Sequence, residues 1–254
     1  MKLSIVIPAH NEGDSISETL RELHRIVVQN NIPHEILVVN DNSRDHTHEV
    51  LEGLKGEIGT LRTIFNPSPN GFGLAVRKGL ENIQGDAAVI VMADGSDSPH
   101  DVVRFYRKML EGYDCVFGSR FISNSKVKDY PFLKLRLNRV FNHMIRALFG
   151  LKYNDVTNAF KMYRADVLHG LKPFLSHHFN LTVELPLKAI IRGYSYAVLP
   201  NSWQNRKSGE SKLKIKEMGS RYLFIVMYCF IEKWLCSQDY LKKNESIHLN
   251  GRNP

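Results

Sequence analysis

Cysteine is scarce. Cys115, Cys229 and Cys236 are the whole complement of the 254-residue chain, and their spacing fits neither a metal ribbon nor a disulfide framework. That pattern excludes a disulfide-built secreted scaffold and points to a reducing, cytoplasmic setting. A charged-then-apolar leader is also missing, because Met1-Lys2 runs directly into a strand-like segment. No apolar run reaches the roughly twenty residues that span a bilayer. The longest near the carboxyl end, Tyr222 to Ile231, is ten residues and is closed by Glu232-Lys233. It reads as an interfacial or partner-binding helix within 216–241, followed by a polar tail at 242–254. A GxGxxG fingerprint after the first strand is absent, which counts against a dinucleotide oxidoreductase. Internal repeats and low-complexity tracts are absent too.

What is present is enough apolar material, 43%, for a full core, and a net charge of +8 that is unevenly spread. Residues 1–119 hold 11 Lys and Arg against 17 Asp and Glu, whereas residues 120–254 hold 23 against 9. The basic half is expected to meet an anionic partner such as phosphate or a lipid surface. Nucleic acid is not expected, because that half contains no recognisable nucleic-acid module.

Strand and helix patterns alternate through the first half. Leu3–Ile7 reads as a strand stopped by Pro8. A helix follows, with Ser15 and Glu18 as a capping box and Ile16, Leu20, Leu23, Ile26 and Val27 on its apolar face. Further strands are expected at 35–39, 61–65, 89–92 and 113–117, with a late one at 196–200. Short strands separated by helices mark a mainly parallel, Rossmann-like α/β sheet flanked by helices. Residues 1–215 are expected to form this unit.

Three strands end in acidic or amide groups: Asn11 and Glu12, Asn40 and Asp41, then Asp94 and Asp97. In a parallel sheet the carboxyl ends share one edge, where open α/β sheets bind ligands, so these groups converge. Asp94 and Asp97 offer hard oxygen donors suited to Mg²⁺ or Mn²⁺. The plainer alternative is a solvated turn with Asp97 capping the next helix.

The segments Pro8-Ala9-His10-Asn11-Glu12, Asn40-Asp41-Asn42-Ser43-Arg44-Asp45-His46-Thr47, Asn70-Gly71-Phe72-Gly73 and Asp94-Gly95-Ser96-Asp97 together resemble family 2 glycosyltransferases of the GT-A fold. Within that family the chain is most similar to the dolichyl- or polyprenyl-phosphate mannose synthases, over about residues 3–215. The resemblance implies transfer, with inversion, of a sugar from a nucleotide-diphosphate sugar to a polyprenyl phosphate, peripheral to the cytosolic face of a membrane. It assigns the donor to Pro8, Ala9, Asn11, Glu12, Asn40, Asp41 and Asp94. The metal falls to Asp94, alone or with Asp97; the family form is usually Asp-x-Asp, and here the second acid stands at i+3.

In the second half, Gly118-Ser119-Arg120 matches the family's phosphate-facing turn. An amphipathic helix over 132–149 carries Leu133, Leu137, Val140, Phe141, Met144 and Leu148 on one face, with Asn138, Arg139, Asn142, His143 and Arg146 on the other. Taken alone, this is an ordinary helix packing its apolar face inward. The resemblance makes Arg120, Arg136 and Arg139 candidates for the acceptor phosphate, and a basic amphipathic helix also suits a membrane surface. Asp155 to Arg164 matches another family segment, with Ala159 where glycine is usual, and an acidic residue is expected near Glu184 without a settled role. Arg206-Lys207-Ser208-Gly209-Glu210-Ser211-Lys212 resembles the family's closing loop, so Arg206 and Lys212 join Asp94 as catalytic candidates. Two alternatives stay open: transfer to a glycan or small-molecule hydroxyl, and a non-catalytic nucleotide-sugar-binding or membrane adaptor.

Overall fold

A computed structural model describes residues 1–205 and 215–242, with the side chains of 215–218 and 237 excepted. The first half runs β1 (Leu3–Ala9), α1 (Ile16–Gln29), β2 (His34–Asn40), α2 (Thr47–Leu54), β3 (Leu61–Phe65), α3 (Phe72–Glu81), β4 (Ala87–Ile90) and α4 (Pro99–Leu110). The second half runs β5 (Cys115–Ser119), β6 (Lys126–Lys128), α5 (Phe132–Phe149), β7 (Lys161–Arg164), α6 (Ala165–Gly170), α7 (Leu181–Ile191), β8 (Tyr196–Pro200), β9 (Ser202–Gln204), α8 (Ile215–Leu235) and α9 (Ser237–Tyr240).

Among the described residues the main sheet has the order β3-β2-β1-β4-β7-β5-β8. Strands β1 to β4 are parallel, β7 lies antiparallel between β4 and β5, and β8 is again parallel to β5. A small ribbon of β6 and β9 sits apart from it. Every residue of β1 is buried, as expected of a parallel strand covered on both faces. Leu3, Ile5 and Ile7 enter one core with α1, α2 and α4. Val6 enters the other, with α3, α5, α7 and α8.

Pro8 does not stop β1, which continues to Ala9 and pairs Pro8 with Val39 in register. The reason is directional. Val6 O accepts the Val91 amide on the β4 side, while Ala9 O accepts the Asp41 amide on the β2 side. Pro8 therefore turns its missing N–H toward β4, whose ladder with β1 has already ended at Ile90. The capping box at the start of α1 is not made either. The Ser15 hydroxyl donates to Glu12 instead, 3.1 Å to Oε2, and makes no cap bond.

Helix α5 exposes most of the apolar face that periodicity alone would bury. Leu133, Leu137, Val140, Met144 and Leu148 are exposed, Val140 at 68%, while Asn142 is buried with Ile145 and Phe149. Polar bonding explains this orientation. Asn142 Oδ1 accepts the Val156 amide at 2.7 Å, and its Nδ2 donates to Thr157 and Asn138. Helix α8 is built into the same core through Ile225, Val226 and Cys229. Its Glu232 faces inward and pairs bidentately with Arg192, at 2.6 and 2.8 Å. Among the described residues no helix is long and apolar enough to cross a membrane.

Candidate active site

One cleft of about 1020 Å³ opens at the carboxyl edge of the sheet. Its polar end is built from strand ends. Pro8, Ala9, His10 and Glu12 follow β1, Asp41 follows β2, and Asp94, Ser96 and Asp97 follow β4. Asn11 and Asn40 support this wall without lining it. Asn11 adopts φ 51°; its amide donates to Ser43 Oγ and its Oδ1 accepts the Arg44 amide. Asn40 is buried, with Oδ1 accepting the Ser43 amide at 3.0 Å. Asp41 is fixed by Asn66 Nδ2 at 2.7 Å and the Gly71 amide at 2.9 Å.

Gly71 and Gly73 show why the Asn70-Gly71-Phe72-Gly73 stretch needs its glycines. A Cβ at Gly71 would lie 2.4 Å from His177 O, and one at Gly73 2.6 Å from Ser176 O. This close approach seats the 174–179 loop, bringing His178 and Phe179 into the cleft. Phe179 stacks on Phe72 with centroids 4.2 Å apart. Glu184 holds the same loop from beneath: its carboxylate accepts the Leu175 and Ser176 amides at 2.8 and 2.7 Å and pairs with the fully buried Lys188. Its role here is scaffolding.

Gly95, at φ +69°, carries the turn joining the two candidate metal ligands. Asp94 Oδ1 accepts the Ser96 amide, and Asp97 Oδ2 accepts the Met92 amide at 3.0 Å. Asp97 does not cap α4, whose N-terminus has no side-chain cap bond. Burial, reinforced by the Asp94 charge, pushes the Asp97 carboxyl up to about 7. Among the described residues the cation acting on it is Arg120, already committed to Asp155. This pairing of a buried carboxyl with a second acid at the same turn fits a divalent cation. No three His, Cys, Asp or Glu side chains form a closed cage among those residues. Mg²⁺ and Mn²⁺ sites of two carboxylates are completed by substrate phosphate and water.

Arg120 lines the cleft wall. Its Nε and Nη2 grip Asp155 at 2.8 and 2.7 Å. Burial opposes its charge, but the Asp155 carboxylate outweighs that and raises its pKa. The segment carrying Asp155 is pinned by Lys161, whose ammonium donates to the carbonyls of Val156, Asn158 and Thr182. Thr182 O is free to accept because Pro186, four residues on in α7, has no amide proton to offer it. Burial lowers Lys161 to about 7.

Arg136 and Arg139 lie on the exposed side of α5, over the rings of Phe132 and Phe121, and are not among the lining residues. Lys134 and Arg221 line the cleft instead. Periodicity could have nominated Lys134, three residues before Leu137, whereas Arg221 had no signal apart from its charge beside an apolar run. Arg206 and Lys212 lie outside the described residues. The far end of the cleft is apolar: Leu137, Phe141 and Met144 of α5 face Tyr222, Leu223 and Val226 of α8.

An acidic strand-end pole on a mainly parallel sheet is thus continuous with a cation-flanked apolar groove. The sequence model for glycosyl transferase family 2 matches residues 4–171, and the chain belongs to that family as a glycosyltransferase. It is 27% identical over 215 residues to the polyprenol monophosphomannose synthase of Mycolicibacterium smegmatis, covering 82% of this chain and 80% of that one. It is 26% identical over 240 residues to the undecaprenyl-phosphate mannosyltransferase of Micrococcus luteus, covering 92% and 96%. Among solved structures, glucosyl-3-phosphoglycerate synthase of Mycobacterium tuberculosis, in complex with Mn²⁺, UDP and phosphoglyceric acid, superposes with a TM-score of 0.69 at 17% identity, covering 90% of this chain and 78% of that one. This last likeness is one of fold, the GT-A fold.

Proposed function

We propose that this chain transfers a hexosyl group, with inversion, from a nucleotide-diphosphate sugar to a polyprenyl phosphate at the cytosolic face of a membrane. One observation carries the reading: a single cleft joins the carboxylate pole of Asp41, Asp94 and Asp97 to the apolar groove between α5 and α8. A donor needs the first and a lipid tail needs the second. The names of the M. smegmatis and M. luteus relatives support the same acceptor class.

Asp94, with Asp97 beside it, would hold Mg²⁺ or Mn²⁺, which as a Lewis acid offsets charge developing on the leaving diphosphate. Asp41 and the turn after β1 hold the nucleotide. Arg120, kept rigid by Asp155, presents positive charge where the two phosphates meet, and Lys134 and Arg221 flank the acceptor's path. Arg206 and Lys212 are assigned to the diphosphate on their motif alone. An oxygen of the acceptor phosphate forms the new bond to the anomeric carbon as the bond to the diphosphate oxygen breaks. That oxygen is already anionic, so no strong general base is required. The outward apolar stripe of α5 and the exposed Leu223, Phe224, Met227 and Trp234 of α8 provide a face for the bilayer surface, flanked by cations that favour anionic lipid.

The test offers radiolabelled nucleotide sugars with Mg²⁺ or Mn²⁺ and two acceptor sets, polyprenyl phosphate in detergent and water-soluble glycans. Label extracted into organic solvent supports the reading. Label moving only to a glycan hydroxyl replaces it with the hydroxyl-acceptor alternative.

A further inference from the structure

We infer that Trp203, flanked by Tyr130, is the platform against which the sugar ring of the donor lies; this rests on the donor chemistry just proposed. Trp203 belongs to the short β9 strand, and neither it nor Tyr130 enters either hydrophobic core. Both rings line the cleft instead, with centroids 4.9 Å apart. A half-buried tryptophan outside a core leaves a large apolar face available to a ligand.

Its backbone is fixed to the catalytic turn from several directions. Asp97 and Trp203 form an antiparallel bridge, and the Gln204 amide donates to Ser96 O at 3.1 Å. The Ser202 amide donates to Asp101 in the first turn of α4, whose other oxygen is held by Arg104. On the other side the Tyr130 hydroxyl accepts from Asn138 at 2.8 Å, and Arg120 lies 5.6 Å from the Tyr130 ring centroid. The platform is thus tied, through Ser96 and Asp97, to the turn that carries the two candidate metal ligands.

A pyranose has an apolar face of C–H groups and a rim of hydroxyls. The negative face of an aromatic ring attracts the polarised C–H groups. The rim is served by Ser96 and Asn205, which line the same cleft. A nucleoside diphosphate without its sugar would leave the platform untouched, and this difference separates a sugar platform from a general structural role.

The chain has two tryptophans, and Trp234 is 60% exposed on α8, so Trp234→Phe leaves Trp203 as the sole indole emitter. That variant is titrated with GDP, UDP, GDP-mannose and UDP-glucose in Mg²⁺. The bound nucleotide sugar should shift or quench the Trp203 emission well beyond its parent diphosphate. By calorimetry, Trp203→Ala should weaken that nucleotide sugar about fivefold or more, the scale of one aromatic contact, and leave the diphosphate within about twofold. Trp203→Phe, with a smaller ring, should fall between and serves if the alanine variant does not fold. If the parent protein binds none of the four ligands, the donor reading fails and the platform with it. If it binds them, and the variants lose sugar and diphosphate affinity alike or lose neither, the platform alone is overturned.

Discussion

Arg120 and Asp155 are separated by 35 residues in the chain yet meet in a two-point ion pair on the cleft wall, with side-chain exposures of 8% and 0%. The Asp155 carboxylate also accepts the Arg120 backbone amide at 2.9 Å. Asp155→Asn would leave the guanidinium buried without a counter-charge, a loss of about 3–5 kcal/mol. Chemical denaturation should show a lower midpoint with an unchanged slope. Stability equal to the parent would mean that the pair is not formed.

The Asp97 carboxyl makes stability depend on pH. Its folded-state pKa of about 7 lies above an unfolded value of roughly 3.9. Between these pH values the folded state binds more protons than the unfolded one, so this group's contribution to stability falls as pH rises from about 4 through 7. Metal-free Asp97→Asn should therefore melt higher than the parent at pH 8, with the gap narrowing as pH falls and closing only below about pH 4. Mg²⁺ or Mn²⁺ with a nucleoside diphosphate should raise the parent's melting temperature and should not raise that of Asp94→Asn. An equal ligand shift in Asp94→Asn would remove Asp94 from the metal site.

Helix α8 is tested through Glu232, whose pair with Arg192 is also almost fully buried, at 3% and 1%. Glu232→Ala should destabilise the chain by about 3–5 kcal/mol. Truncation at 218 removes Ile225, Val226 and Cys229 from the core, so it should cost the fold and nucleotide binding together. A truncated chain that keeps nucleotide affinity and its melting temperature would show α8 to be a detachable appendage.

The apolar stripe gives the opposite expectation. Val140→Ser with Phe224→Ser changes residues exposed at 68% and 59%, so thermal stability should stay nearly constant. Co-sedimentation with anionic liposomes should fall several-fold. Loss of stability without loss of liposome binding would reverse the assignment.

Much of this architecture was legible in the sequence, and the misses share a cause. Apolar runs of four to six residues located the strands of the first half because a strand buried on both faces needs such a run. The polar strand ends located the cleft because parallel strands share an edge. Periodicity located α5 and identified its apolar stripe, but it cannot tell which side of a helix faces the core. That was decided by Asn142 meeting Val156 and Thr157, partners a dozen or more residues away. Arg120 with Asp155, Lys161 with the carbonyl freed by Pro186, and Trp203 beside Asp97 are likewise products of tertiary structure. Arg136 and Arg139 were nominated as acceptor ligands by resemblance, whereas the turn of α5 places Lys134 along the cleft.

The central claim is that one cleft serves a sugar donor at its acidic end and a lipid phosphate along its apolar end. The most direct measurement is kcat/KM for sugar transfer as a function of acceptor chain length, from inorganic phosphate through a short prenyl phosphate to a full polyprenyl phosphate. Each methylene buried in the groove contributes about 0.8 kcal/mol. The expected result is a steep rise that levels once the groove is filled, flattened by Met144→Glu in its wall. Transfer that is indifferent to chain length, or that proceeds only to a hydroxyl acceptor, would contradict it.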